Sequence, residues 1–126
     1  MLNHHGATLD DAFRALADPT RRAIVERLSR GRANVSDLAA PLPMSLAAVH
    51  QHLQILAASG LMTWEKHGRV RWCRLEAPRL RAVEEWILAR RLTWERRLDA
   101  LAAHLEHEER EARKESKSNE RSKRHS

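Results

Sequence analysis

The sequence is poor in cysteine, in aromatic residues and in long apolar runs. Its 126 residues include one cysteine, which excludes an internal disulfide framework and a metal site built on paired cysteines. No apolar run approaches the roughly 20 residues that a membrane-spanning helix requires, so we expect no contact with a membrane. Residues 1–5 have neither the basic start nor the apolar stretch of a secretory signal peptide. These absences together predict a cytoplasmic protein.

Motifs of the common enzyme classes are also missing. The chain contains four glycines but no glycine-rich phosphate loop, and it has neither a nucleophile elbow nor the paired histidines of a zinc-protease helix. A chain of this length has room for one small domain, which excludes a large catalytic fold. We therefore predict that the protein is not an enzyme and holds no cofactor.

Positive charge is concentrated at the C-terminal end. Residues 110–126 contain seven Lys or Arg and three Glu, so this segment holds +4 of the net charge of +6. Its polar composition cannot bury enough apolar surface to offset the entropy of ordering it, and the sequence therefore predicts a disordered tail. The predicted organisation is an N-terminal arm at residues 1–8, one domain at residues 9–109 and this basic tail at residues 110–126.

Apolar periodicity and capping residues predict four short helices, then a β-hairpin, then one long helix. Asp18, Asn34 and Ser45 are the expected N-caps of the second, third and fourth helices. Two short strands should flank a turn at His67 and Gly68. The predicted ranges are 9–17, 19–30, 34–40 and 45–59 for the four helices, 61–64 and 70–75 for the strands, and 79–109 for the long helix.

This order of elements is typical of a winged helix-turn-helix, a mainly α fold with a small β-hairpin wing. In that fold the second helix of the motif enters the major groove of double-stranded DNA, and its first residues reach the base edges. Residues 45–59 carry no formal charge, so this helix is suited to reading bases by hydrogen bonds while arginines elsewhere supply affinity. The predicted DNA-binding residues are Arg21, Arg22, Ser45, Ala47, Ala48, His50, Gln51, Gln54, Lys66, Arg69 and Arg71.

Apolar stripes on two helices predict what each of them packs against. The stripe of the fourth helix is expected to face the core and consists of Leu46, Val49, Leu53 and Leu56. The long helix carries a near-heptad stripe that a small monomer cannot cover, so a second copy of the same helix is the expected partner. We therefore predict a homodimer. The interface residues on the long helix are Trp94, Leu98, Leu101 and Leu105.

A family resemblance is carried by the segments LADPTRRAIV at residues 16–25, MSLAAVHQHLQIL at 44–56 and SGL at 59–61. Together they are similar to the ArsR family of winged-helix transcriptional repressors, over about residues 9–106. The resemblance implies a homodimeric repressor of a palindromic operator that dimerises through its first and last helices, which adds Leu9 and Phe13 to the interface. Residues 94–101 resemble a branch of the family that does not sense metals. His50 departs from the serine that is common at its position.

Residues that could make the protein respond to a metal form an incomplete pattern. The third helix contains no thiol, which excludes a soft-metal site there. His104, His107 and Glu108 share one face of the last helix, but the family pattern requires an acidic residue and a histidine upstream, where Arg91 and Thr93 stand. Nearby arginines would also repel a dication. We predict no metal site.

Four other side chains are expected to have structural roles. Cys73 should fill the core rather than act as a redox group. His52 should hold the recognition helix in place by packing or hydrogen bonding. Trp64 and Trp72 alternate with charged residues along the ribbon and should steady the wing.

Two alternatives to this interpretation stay open at the level of sequence. A protein-interaction module would have the same winged-helix fold without binding DNA. A metal- or thiol-responsive repressor would add an effector to the fold, and the sequence names no effector. Binding of the protein to its own upstream DNA at physiological salt would separate the first alternative from a DNA-binding regulator.

Overall fold

The structure is a computed structural model that describes residues 7–124. The predicted N-terminal arm, residues 1–8, lies outside this range except for Ala7 and Thr8, as do the last two residues of the chain. The chain divides into two compact units, Met1–Trp86 and Ile87–Ser126. Of the described helices, none is long and apolar enough to span a membrane.

The short helices of the first unit begin at polar side chains that satisfy free N–H groups of the first turn. They are α1 (Leu9–Leu16), α2 (Pro19–Leu28), α3 (Val35–Ala39) and α4 (Leu46–Ala58). Asp18, Asn34 and Ser45 each accept a hydrogen bond from the N–H three residues on, at 3.0, 2.8 and 3.1 Å. These three predicted N-caps are confirmed, and Thr8 caps α1 in the same way.

The wing belongs to a three-stranded antiparallel sheet, which corrects the predicted two-stranded ribbon. Its strands are β1 (Ala33–Asn34), β2 (Met62–His67) and β3 (Val70–Leu75), in the order β1-β3-β2. Because β1 has two residues, it is too short to show an alternating pattern in the sequence. The hairpin turn lies at Gly68 and Arg69, one residue later than predicted, and Gly68 adopts the positive φ of 64° that this tight loop requires.

One hydrophobic core contains residues of α1, α2, α4 and the inner face of the sheet. The apolar stripe of α4 is buried there as predicted, except that Leu46 is 59% exposed. Leu46 is the first residue of the helix, and because Cα–Cβ bonds tilt toward the N-terminus, a side chain at this position has no preceding helical turn to pack over. Cys73 is fully buried, and burial raises the pKa of its thiol to about 11, which confirms its core-filling role.

The last helix, α5 (Ala77–Arg124), contains 48 residues and extends well beyond its predicted end at residue 109. The prediction of a disordered tail is therefore corrected over residues 110–124, which are helical. This segment has no glycine or proline and is rich in Glu, Lys and Arg, which lose little side-chain freedom in a helix. It also continues an existing helix and so avoids the cost of nucleation. The described side chains of residues 110–123 are exposed, as the polar composition of the segment predicts.

Candidate nucleic-acid interface

α4 presents an uncharged polar face to the exterior. Gln51 and Gln54 are exposed and lie on the side of α4 opposite its buried apolar stripe. Among the other predicted residues of this face, Ser45 and Ala47 are exposed and Ala48 is half-buried. The two side-chain amides are therefore accessible to a ligand, and no formal charge on α4 competes with them.

His50 contacts the wing. Its ring stacks on the indole of Trp64, with ring centroids 5.6 Å apart and planes inclined by 27°. The guanidinium carbon of Arg71 lies 4.0 Å from the centroid of the Trp64 ring system. These three side chains, which we call the Trp64 stack, connect α4 to β2 and β3. His50 and Arg71, both predicted to bind DNA, thus make contacts within the protein, and Trp64 has the steadying position expected of it.

Arg21 connects α1, α2 and α4. Its Nε donates a hydrogen bond to the carbonyl of Ala15 at 2.7 Å, and Nη2 donates to the carbonyl of Arg14 at 3.2 Å. Nη1 lies 3.2 Å from Nδ1 of His52. Because a guanidinium can only donate, this contact assigns the ring proton of a neutral His52 to Nε2. The half-buried Arg21, predicted to bind phosphate, is therefore engaged within the domain, and His52 is hydrogen-bonded as expected.

Asp18 joins the same network at the start of α2. Its carboxylate accepts a hydrogen bond from the backbone N–H of Arg21 at 3.0 Å, and this bond is the main reason that the pKa of Asp18 lies below its usual value of 3.8. The carboxylate lies 3.9 Å from Nδ1 of His52, farther than the 3.2 Å contact of Arg21 with the same nitrogen. Polar contacts thus fix the start of α2 against the middle of α4.

The remaining predicted phosphate contacts have exposed side chains. Arg22 is exposed and donates Nη1 to a carbonyl at the end of α1 at 2.8 Å. Lys66 and Arg69 are exposed near the tip of the wing hairpin. These three cations are accessible to an anionic ligand.

The outer face of the sheet carries a second group of cations that are paired with acidic or aromatic side chains. The carboxylate oxygens of Glu65 lie 3.7 Å from Nη1 of Arg32 and 3.7 Å from Nε of Arg74. The guanidinium carbon of Arg32 also lies 4.5 Å from the ring centroid of Trp72. Trp72 therefore makes a cation–π contact like that of Trp64. The two contacts lie on opposite faces of the sheet, because Trp64 shares a face with its register partner Cys73, and neighbouring residues of a strand, such as Trp72 and Cys73, point to opposite faces.

The predicted dimer residues fall into two groups. In the first unit, Leu9 and Phe13 are half-buried against the core, and the Phe13 ring meets Trp86 edge-on, with centroids 5.6 Å apart. In the second unit, the predicted residues lie on α5 and are 46–60% exposed. They are Trp94, Leu98, Leu101 and Leu105.

On α5, two of the three side chains weighed as metal ligands form an ion pair. Nε2 of His104 lies 3.0 Å from Oε1 of Glu108, and both side chains are exposed. Within residues 7–124, no three His, Cys, Asp or Glu side chains lie close enough together to hold a metal ion.

Two features of this surface lack a clear signal in the sequence. The Trp64 stack joins a helix to a sheet, and hydrophobic periodicity does not report how two elements meet. Leu46 shares the spacing of the buried stripe of α4. Its place directly after the Ser45 cap is the one signal that could have indicated an exposed side chain.

Comparison with known proteins gives relatives that are regulators of transcription. The model of a helix-turn-helix domain family matches residues 16–63, which include α2, α3 and α4. The HTH-type transcriptional regulator Rv2034 of Mycobacterium tuberculosis is 46% identical over 74 residues, which cover 59% of this chain and 69% of that protein. The transcriptional repressor SdpR of Bacillus subtilis is 28% identical over 80 residues, or 64% of this chain and 89% of that protein.

Solved structures give the same result. The crystal structure of an ArsR family transcriptional regulator, RHA00566, matches with a TM-score of 0.64 and 47% identity, over 69% of this chain and 96% of that one. An ArsR-like transcriptional regulator from Rhodococcus sp. RHA1 matches with a TM-score of 0.64 and 35% identity, over 74% and 88% of the two chains. The resemblance seen in the sequence is confirmed. The chain belongs to the ArsR family of helix-turn-helix transcriptional regulators.

Proposed function

We propose that the protein is a homodimeric transcriptional repressor that binds a palindromic operator in double-stranded DNA. The observation that carries the proposal is the exposed, uncharged face of α4, with Gln51 and Gln54, inside a helix-turn-helix domain. A glutamine amide can make two hydrogen bonds to adenine in the major groove. The name of the Bacillus subtilis relative, a transcriptional repressor, supports repression rather than activation.

Base reading and phosphate anchoring belong to different residues in this proposal. Gln51 and Gln54 contact base edges, and the small side chains at the start of α4 allow the helix to approach the groove closely. Those small residues are Ser45, Ala47 and Ala48. Phosphate contacts supply affinity without reading sequence. The anchoring residues are Arg22, Lys66 and Arg69.

Three of the residues that the sequence assigned to DNA act by positioning other groups. Arg21 fixes α4 against α1 and α2 through its contacts with two carbonyls and His52. His50 and Arg71 belong to the Trp64 stack. Their effect on DNA binding is therefore indirect, through the placement of the recognition helix and of the wing.

The proposed dimer covers the exposed stripe of α5. The four predicted residues of the second unit, from Trp94 to Leu105, each expose about half of a large apolar side chain. Removing apolar surface from water contributes about 25 cal/mol per Å². The same stripe on a second copy is a self-complementary partner, and a two-fold dimer requires an operator with two half-sites in opposite orientation.

DNA binding is tested with an operator enriched from a random-sequence library and with random DNA, over a series of salt concentrations. Gln51→Ala and Gln54→Ala should each relax the preference at particular base pairs by about 1–3 kcal/mol. Arg69→Ala should weaken binding to both DNAs and reduce the slope of log affinity against log salt by about one. Arg81→Ala, an exposed arginine of α5 outside the proposed interface, is the matched control and should change neither quantity.

Two outcomes of this experiment contradict the proposal. A uniform loss of affinity in the glutamine variants, together with altered base preference in Arg69→Ala, would invert the roles of helix and wing. If no sequence is enriched from the library, the protein is not a sequence-specific DNA-binding protein, and an interaction module of the same fold is the better interpretation.

Dimerisation is tested by combining Leu98→Glu with Leu101→Glu. The double variant should sediment as a monomer and lose operator binding, because one half-site contributes too little affinity alone. Ala103→Glu places one glutamate on the other side of α5 and should leave the dimer intact. An unchanged dimer in the double variant would reject this interface.

A further inference from the structure

The start of α4 exposes a large apolar side chain. Leu46 is 59% exposed, the highest value among the large hydrophobic residues described in the unit Met1–Trp86. A single exposed leucine is common on a protein surface and means little by itself. Its position makes it informative, because Leu46 is the first residue of the recognition helix and directly follows the Ser45 cap.

The geometry of a helix start directs this side chain outward. Because each Cα–Cβ bond tilts toward the N-terminus, a side chain on the first residue of a helix is directed toward the helix end, which agrees with the exposure of Leu46. In a helix-turn-helix, the N-terminal residues of the second helix are the ones that reach base edges in the major groove. Ser45 and Ala47 are small and exposed, so Leu46 has the longest of the three exposed side chains at the start of α4.

The surroundings of Leu46 select the chemistry of its partner. No Asp, Glu, Lys or Arg occurs between Asp37 and Glu65, so this stretch offers no formal cation to a phosphate. An apolar side chain gains free energy by leaving water for an apolar contact. The apolar group that base pairs present in the major groove is the 5-methyl group of thymine.

We propose that Leu46 is a specificity-determining residue that packs on the 5-methyl group of a thymine in each half-site of the operator. The inference rests on the proposed function and extends it by naming a base. It agrees with the roles of Gln51 and Gln54, because glutamine pairs best with adenine and both kinds of contact then select A·T pairs.

The experiment starts from the operator that the wild-type protein enriches from a random library. Each thymine is replaced in turn by deoxyuridine, which removes the methyl group and keeps the base pair. At the thymine that Leu46 contacts, we expect an affinity loss of about fourfold, the value of one buried methyl group, when one half-site is changed. Changing both half-sites should reduce affinity about sixteenfold.

Two variants assign the effect to one side chain. With Leu46→Ala, the thymine and uracil operators should bind equally at that position. Ile55→Ala is the matched control, because Ile55 is also an exposed apolar residue of α4, at 44%, but lies near the other end of the helix. It should keep the fourfold preference for thymine. Thermal unfolding of both variants checks that the domain stays folded.

The outcomes separate this inference from the proposed function. An enriched operator without any uracil-sensitive thymine overturns the role of Leu46 and leaves the repressor proposal intact. The same holds if Leu46→Ala keeps the wild-type sensitivity to uracil. Failure to enrich any sequence overturns the proposed function, and the inference fails with it.

Discussion

Replacing Trp64 by alanine should separate the stability of the wing from its position. The substitution removes both contacts of the Trp64 stack, the ring of His50 at 5.6 Å and the guanidinium of Arg71 at 4.0 Å. It leaves Gln51 and Gln54 of α4 and the exposed Lys66 and Arg69 of the wing unchanged. A loss of operator preference in this variant would therefore arise from the placement of α4 relative to the wing.

The expected loss of stability follows from the contacts. An aromatic pair contributes about 0.5–1.5 kcal/mol beyond area burial, and a partly exposed cation–π contact contributes about 0.5–1 kcal/mol. The half-buried indole also loses apolar contact when it is truncated. We expect Trp64→Ala to lower the free energy of unfolding by about 2–4 kcal/mol. Trp64→Phe keeps a ring in the stack and should lose about 1 kcal/mol.

The assay combines urea unfolding with DNA binding at a temperature where every variant is folded. Trp64→Ala should bind operator and random DNA with more similar affinities than the wild type, and Trp64→Phe should recover most of the difference. Trp72→Ala is the matched control, because Trp72 stacks with Arg32 at 4.5 Å on the opposite face of the sheet. It should lower stability while leaving operator preference unchanged.

A folded Trp64→Ala protein that discriminates operator from random DNA as well as the wild type does would contradict this prediction. In that case the Trp64 stack stabilises the sheet alone, and the angle of the wing is set elsewhere. Equal losses of preference in Trp64→Ala and Trp72→Ala would also refute it, because the effect would then follow stability rather than position.

Three further predictions concern single residues of the first unit. The hydrogen bond from the backbone N–H of Arg21 lowers the pKa of Asp18, so the stabilising contribution of Asp18 is present at neutral pH and lost as the pH falls below about 4. The difference in unfolding free energy between wild type and Asp18→Ala should therefore shrink on acidification, and a constant difference would contradict this. Cys73 should react with iodoacetamide far more slowly in the native protein than in urea, because burial raises its pKa to about 11, and equal rates would favour a thiol-responsive protein. Gly60→Ala should destabilise the protein by about 1–2 kcal/mol in thermal unfolding, because Gly60 has a φ of 82° and an added Cβ would lie 2.9 Å from Nε of Arg79. Unchanged stability would show that the backbone relaxes at this position.

Local chemistry made most of the fold predictable. A cap needs one side chain and an N–H three residues on, so Asp18, Asn34 and Ser45 could be assigned from sequence alone. The two-residue β1 could not, because its partner Cys73 is remote in sequence and two residues show no periodicity. Register across a sheet depends on distant residues, and a pattern of neighbours does not contain that information.

The candidate site, like the fold, has features that local sequence predicts and features that depend on distant residues. The neutral outward face of α4 follows from helical spacing and was predictable, as Gln51 and Gln54 show. The contact of Arg21 with His52 joins residues 31 positions apart, and a count of charges along the sequence cannot reveal it. The sequence therefore predicts that Arg21 is a cation available to phosphate, whereas its guanidinium is hydrogen-bonded within the domain. Composition reports which charges exist, and the structure shows which of them have partners within the domain.

The C-terminal segment shows where composition misleads and offers a final test. Residues 111–126 hold six Lys or Arg and three Glu, and the segment is helical to Arg124. Deleting residues 111–126 should lower the helical signal in circular dichroism. It should also weaken binding to operator and random DNA alike and reduce the salt dependence of that binding, because cations that contact phosphates release counterions from the DNA without reading bases. Replacing the six cations by glutamine is the matched control, since it should reproduce the binding loss and keep the helical signal. A selective loss of operator binding would show instead that this helix contacts a specific part of the operator.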